Sequence, residues 1–185
     1  MTQTAEYQKL LREMHDKNPK WGKEFKKDPI PQMLSSAIEK YQPRSILDFG
    51  TGKGFLVKKL KEAYPNIDVM GWDPIFETEM PKKVDMIVST DVLEHVEPNE
   101  LEKTLLDLKK RTNICQYHLI ACFPAVATLP DGRNAHLIIE NPMWWKDKLK
   151  IMGMRNVVDR IISYDKPKKN KKILKITKYE CILLS

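Results

Sequence analysis

Two carboxylates and two imidazoles are the residues of this 185-residue chain best suited to chemistry. Asp91, Glu94 and His95 form the pattern D-x-x-E-H directly after the strand-like stretch 84–90, and His136 follows about forty residues on. If that stretch turns straight into a helix, positions 91, 94 and 95 stand as i, i+3 and i+4 and share one face. An imidazole titrates nearest neutrality, which makes His95 and His136 candidate general bases. Carboxylates and imidazoles together also have the ligand types for a divalent cation such as Mg²⁺, and an all-thiolate zinc site is excluded. Upstream, the apolar run 45–47 ends in Asp48, and Gly50, Gly52 and Gly54 follow on alternate positions with Thr51 among them. Glycines so placed let the backbone turn sharply and come close to a ligand. A second apolar run ends in Asp73, about 20 residues past the first glycine, where a nucleotide-binding βαβ unit carries the carboxylate that grips ribose hydroxyls.

What the glycine loop does not bind is also readable. A dinucleotide fingerprint starting at Gly50 needs glycine where Phe55 stands, and a phosphate loop ending at Lys53 needs glycine at Leu47 and a hydroxyl at Gly54. Asp48 at the loop entrance repels pyrophosphate but suits a cationic amino group. Ribose and ammonium without phosphate describe S-adenosylmethionine. The spacing D-x-G-x-G-x-G closely resembles the first motif of class I S-adenosylmethionine-dependent methyltransferases. Asp73, the stretch 84–96, His136-Leu137 and the Trp144-Trp145 segment extend the resemblance over residues 43–185. It implies donor binding by Asp48, Gly50, Thr51, Gly52, Gly54, Asp73, Thr90 and Asp91. A similar acid-x-x-Glu-His with a later histidine holds a metal in small-RNA terminal 2′-O-methyltransferases and ubiquinone-pathway O-methyltransferases. That likeness makes Asp91, Glu94, His95 and His136 a candidate metal and catalytic set. In many small-molecule relatives the same acids only hydrogen-bond a loop and the histidine packs.

These groups need elements to hold them. Residues 5–15 and 33–41 read as helices of an N-terminal extension over 1–42, with His15 and Tyr7 able to fold over the pocket as a lid. From 43 onward strands and helices alternate, which demands a mostly parallel sheet covered on both faces. The last two strands, near 157–163 and 174–184, are joined too closely for a crossover helix and form an antiparallel hairpin. The expected fold is therefore α/β: a class I methyltransferase (Rossmann-like) sheet over 43–185. Only ten residues separate Asp73 from Val84, so the third strand of that fold is shortened or missing, and Glu77 and Glu79 are the only acids there to read adenine. Trp145 and His118 fall on core positions, while Trp144 is open to either the core or a flat substrate.

The length fits a single compact domain with a sizeable core. Cys115, Cys122 and Cys181 are odd in number and sit among apolar residues, as buried thiols of a reducing compartment do. Neither an apolar leader nor a membrane-length run is present, which predicts a cytoplasmic chain with no membrane partner. The net charge of +7, concentrated at 17–27 and 166–172, would favour a polyanion if those patches are functional. The leading expectation is O-methylation of a small molecule or sugar. The alternatives are a metal-dependent 2′-O-methyltransferase acting on RNA or other nucleic acid, and a catalytically silent donor-binding partner subunit. The intact acids and glycines count against the last.

Overall fold

A computed structural model describes residues 4–17, 29–76, 79–167 and 173–184. Helices α1 (Ala5–Lys17) and α2 (Gln32–Tyr41) come first. The alternating unit follows: β1 (Ser45–Phe49), α3 (Phe55–Ala63), β2 (Asp68–Trp72), β3 (Val84–Thr90), α4 (Leu101–Arg111), β4 (Thr112–Ala121), α5 (Pro142–Ile151), β5 (Arg155–Pro167) and β6 (Ile173–Leu184). Six strands lie in the order β2-β1-β3-β4-β6-β5. The first four are parallel, while β6 runs antiparallel to both β4 and β5. Among the described residues β2 is the edge on the parallel side and β5 the other edge, and no strand occupies the segment between Asp73 and Val84.

Each face of the sheet is buried under helices. Leu34 and Ile38 of α2 with Leu56 and Leu60 of α3 cover Ile46, Met86, Val88 and Tyr117 on one side. Leu105 and Leu108 of α4 with Trp145 and Leu149 of α5 cover Ile87, Ile120 and Leu183 on the other. Side chains alternate along a strand, so β3 and β4 must be apolar on both faces, as the parallel arrangement requires. Helix ends follow local chemistry. Gln42 stops α2 in a left-handed conformation (φ 48°) ahead of Pro43, and the Asn141 side chain accepts the Trp144 N–H to start α5 behind Pro142. Helix α1 stands apart. Its Tyr7, Leu11 and Met14 bury against Leu129 and Ala135 of the long β4–α5 connection, a separate small core above the C-terminal ends of the strands.

Strand β4 begins at Thr112, because α4 passes into it directly and the Thr112 hydroxyl donates to the Leu108 carbonyl at 2.8 Å. One expectation shifts. Strands β5 and β6 pair out to Pro167–Ile173, longer than the apolar alternation indicated. Helix α2 packs on the sheet. Trp145 and His118 are fully buried, as are Cys115 and Cys181, while Cys122 is half-buried. No described helix is long and apolar enough to cross a membrane.

Candidate active site

A cavity of about 350 Å³ opens where the parallel strands end, with Gly50, Gly52 and Asp73 at one end and Asp91, His95 and His136 at the other. The glycine loop is folded back over β2: the amides of Gly50 and Thr51 both donate to the Trp72 carbonyl, at 2.8 and 3.1 Å. Gly50 is bound to be glycine on two counts. Its φ is +75°, and a Cβ would sit 2.5 Å from Val92. Asp73 accepts the Gly52 amide at 3.0 Å and the Ile75 amide at 3.1 Å, which fixes its carboxylate at the cavity edge. Thr90 lines the cavity as well, whereas Asp48, Thr51 and Gly54 are not among its lining residues. Asp48 accepts the Thr51 hydroxyl at 2.9 Å; burial, opposed by that bond and reinforced by Asp73, pushes its carboxyl up to about 7. Glu79 is exposed, and Glu77 lies outside the described residues, as does most of the basic stretches 17–27 and 166–172.

At the other end the chain after β3 does not enter an α-helix. Asp91 takes a left-handed conformation (φ 53°), and a single 3₁₀ turn, Leu93–His95, follows. The expected shared helical face is therefore absent, and Asp91 separates from its neighbours in sequence. Both its carboxylate oxygens accept from Lys178 Nζ, at 2.7 and 2.6 Å. Glu94, His95 and His136 do converge: one ligand atom from each lies within 4.8 Å of the other two. Glu94 is fully buried; its Oε1 accepts the Ala121 amide at 3.2 Å, and its Oε2 has no hydrogen-bond partner.

The β4–α5 connection builds this cluster. Leu137 and Ile138 amides donate to the Glu94 carbonyl at 2.8 and 3.0 Å, clamping the connection to the 3₁₀ turn. Asn134 accepts the amides of Ala125 and His136 (both 2.9 Å) and donates to the Ala125 carbonyl at 2.9 Å, closing the loop on itself. His95 Nδ1 meets the Ala135 carbonyl at 2.6 Å and His136 Nδ1 meets the Phe123 carbonyl at 2.5 Å. Only a protonated nitrogen can donate to a carbonyl, so each ring keeps its lone pair on Nε2. Burial, with His136 adjacent, pushes His95 down to about 4, and burial also lowers His136. Both rings are therefore neutral near pH 7. Burial and then Asp91 hold the Glu94 carboxyl well above the usual range.

Helix α1 roofs the cavity. Leu11 and His15 line it, the Tyr7 hydroxyl donates to the His95 carbonyl at 2.5 Å, and Thr4 gives its amide and hydroxyl to Glu97 at 2.7 and 2.9 Å. Sequence reading left His15 and Tyr7 open between a lid and the plain surface, and missed Lys178, Asn134 and Thr4. Strand β6 carries Lys175, Lys178 and Glu180 among its apolar residues, so nothing in the sequence singles out Lys178.

Comparison with known proteins agrees with this geometry. The methyltransferase domain family matches residues 6–171. This chain belongs to that family. By fold and family it is a class I S-adenosylmethionine-dependent methyltransferase. No curated protein matches the sequence. Among solved structures, the methyltransferase resembles a Burkholderia thailandensis 1,6-didemethyltoxoflavin N1-methyltransferase bound to its substrate and S-adenosylhomocysteine. That match has TM-score 0.60 and 14% identity, covering 100% of this chain and 91% of the other. An S-adenosylmethionine-dependent methyltransferase from Archaeoglobus fulgidus superimposes with TM-score 0.54 at 15% identity, covering 83% and 94% of the two chains. A Methanosarcina mazei methyltransferase gives TM-score 0.53 at 12% identity over 85% and 99%. At such identities the likeness is one of fold.

Proposed function

We propose that this methyltransferase moves the donor's methyl group to a hydroxyl oxygen of a small acceptor, with His95 and His136 at the acceptor end of the cavity. The observation that carries this reading is the continuity of one cavity from the glycine loop to two neutral imidazoles. S-adenosylmethionine, when bound, supplies a methyl group already activated by its sulfonium. Donor binding falls to the backbone of Gly50 and Gly52, to the Asp73 carboxylate for ribose hydroxyls, and to Thr90 at the end of β3. Asp48 sits behind the loop as a negative centre for the ammonium, with Thr51 holding it and Gly54 letting α3 begin. Methyl transfer asks the protein chiefly for alignment, and for removal of a proton when the nucleophile is an alcohol. Nε2 of either histidine carries the lone pair that would take that proton. We assign residues 1–42 as an extension, α1 being its lid, and 43–185 as the donor-binding domain.

The cluster also suits a divalent cation such as Mg²⁺. One carboxylate and two imidazoles are an acceptable donor set, each imidazole is oriented by a backbone carbonyl, and the unpartnered Glu94 Oε2 fits a ligand position. Glu94, His95 and His136 would hold the ion, which lowers the pKa of a bound hydroxyl. Asp91, the fourth residue of the expected set, is engaged by Lys178.

A roofed cavity of this size supports a small acceptor over a polymer, while the net charge of +7 keeps a nucleic-acid 2′-hydroxyl as the second reading. The test is a screen with methyl-labelled donor against metabolite and sugar-nucleotide pools and against RNA. Label entering low-mass material on oxygen, and lost in His95→Ala/His136→Ala, supports the proposal. Label on nitrogen, or in RNA alone, overturns it.

A further inference from the structure

Asp91 heads the cation-binding pattern in the sequence, yet it is the one member missing from the cluster. Asp91 nevertheless lines the same cavity as His95, His136 and Lys178. What holds it away is the register of the last strand. Ala121, at the end of β4, pairs with Lys178 of β6, and the Asp91 amide donates to the Leu119 carbonyl at 2.8 Å two residues earlier on β4. Lys178 thereby meets Asp91 across the strand end and takes both carboxylate oxygens, with only 19% and 21% of the two side chains exposed. An ion pair so enclosed is costly to break unless a comparable cation replaces the ammonium.

A catalytic metal centre needs positions left for substrate, whereas a filled ligand set makes a structural one. Two carboxylates and two imidazoles would close much of the shell; one carboxylate and two imidazoles leave it open. Resting on the cation reading above, we infer that Lys178 is a latch that withholds Asp91 from the cation site, keeping it a three-ligand centre with room for the acceptor oxygen. Lys178 is a positioning residue in this scheme, since it acts through Asp91.

The experiment uses the full chain saturated with S-adenosylhomocysteine. Mn²⁺ affinity is read by calorimetry and Co²⁺ coordination by visible absorption, with circular dichroism confirming each fold. The wild type is expected to bind one ion. Lys178→Met, which frees Asp91, is expected to bind Mn²⁺ about tenfold tighter or more and to change the Co²⁺ bands. Asp91→Asn/Lys178→Met is expected to return both toward wild type. A tighter Lys178→Met with unchanged Co²⁺ bands reports charge alone and overturns the latch, as does wild-type behaviour of Lys178→Met in both readouts. Should Lys178→Met not fold, Asp91→Asn decides: an unchanged Co²⁺ spectrum supports the latch, and an altered one makes Asp91 a ligand and overturns it. If no form binds either ion, the cation reading itself fails and takes this inference with it.

Discussion

The two ends of the cavity are built in different ways. The end proposed for the donor is made by the sheet: the glycine loop, Asp73 and Thr90 follow the ends of β1, β2 and β3, and backbone bonds to Trp72 fix the loop. The end proposed for the acceptor is made by irregular chain. A 3₁₀ turn, the connection between β4 and α5, helix α1 and one lysine from the last strand converge there. A sheet edge offers many methyltransferases the same donor platform, while loops vary freely and set the acceptor. The difference predicts that each end can be damaged without the other.

The largest effect should come from removing both imidazoles. His95→Ala/His136→Ala is expected to lower turnover about a hundredfold or more, the range of general-base catalysis, while S-adenosylhomocysteine affinity by calorimetry stays within about twofold. Loss of donor binding in that variant would dissolve the division into two ends. At the donor end, Asp73→Ala removes a charge-assisted bond and should weaken S-adenosylhomocysteine by on the order of 1.5–3 kcal/mol, roughly tenfold to over a hundredfold. Its effect on a cation titration should be negligible.

Asp48 sharpens the comparison through pH. Its carboxyl is raised by burial to about 7 in the fold against an ordinary value near 3.8 in the unfolded chain. The folded state thus holds the proton more tightly, so the stability from this group is complete below about 3.8 and is lost as pH rises through about 7. Asp48→Asn should therefore match the wild type in denaturant melts near pH 4 and exceed it at pH 8.5, by on the order of 1–3 kcal/mol. It should at the same time bind the donor less well. Equal stability at both pH values would remove the buried charge from the account. The smallest effect is reserved for Tyr7→Phe. Losing one hydrogen bond to the His95 carbonyl should cost about 1 kcal/mol of stability and lower turnover a few-fold, with donor affinity unchanged.

How far the sequence disclosed all this follows the same division. Glycines on alternate positions and acids at strand ends are local signals that pointed to the proposed donor end, and the alternation of strands and helices indicated the mostly parallel sheet with its antiparallel hairpin. The gap after Asp73 pointed to a shortened or missing third strand, because a parallel strand with its crossover connection does not fit ten residues, and among the described residues none is there. Glu94, His95 and His136 could be named from a spacing resemblance. Asp91 could not be separated from them, because neither its left-handed backbone nor its lysine partner is written nearby. Lys178 is 87 positions away and reaches Asp91 only through the antiparallel register of β6. The Tyr7 contact with His95, 88 positions apart, is of the same kind.

The small core under α1 has a consequence for how the molecule breathes. Five buried residues, Tyr7, Leu11, Met14, Leu129 and Ala135, hold the helix to the β4–α5 connection, apart from the two large cores on the sheet. Regions with few buried apolar contacts open first and at a fraction of the global cost. Amide exchange should therefore begin in α1 and the segment 125–136 while the strands remain protected. In such a partly opened molecule the glycine loop persists, and the carbonyls that orient His95 and His136 are let go: a protein that can still hold its donor while it has, for that moment, no acceptor site to serve.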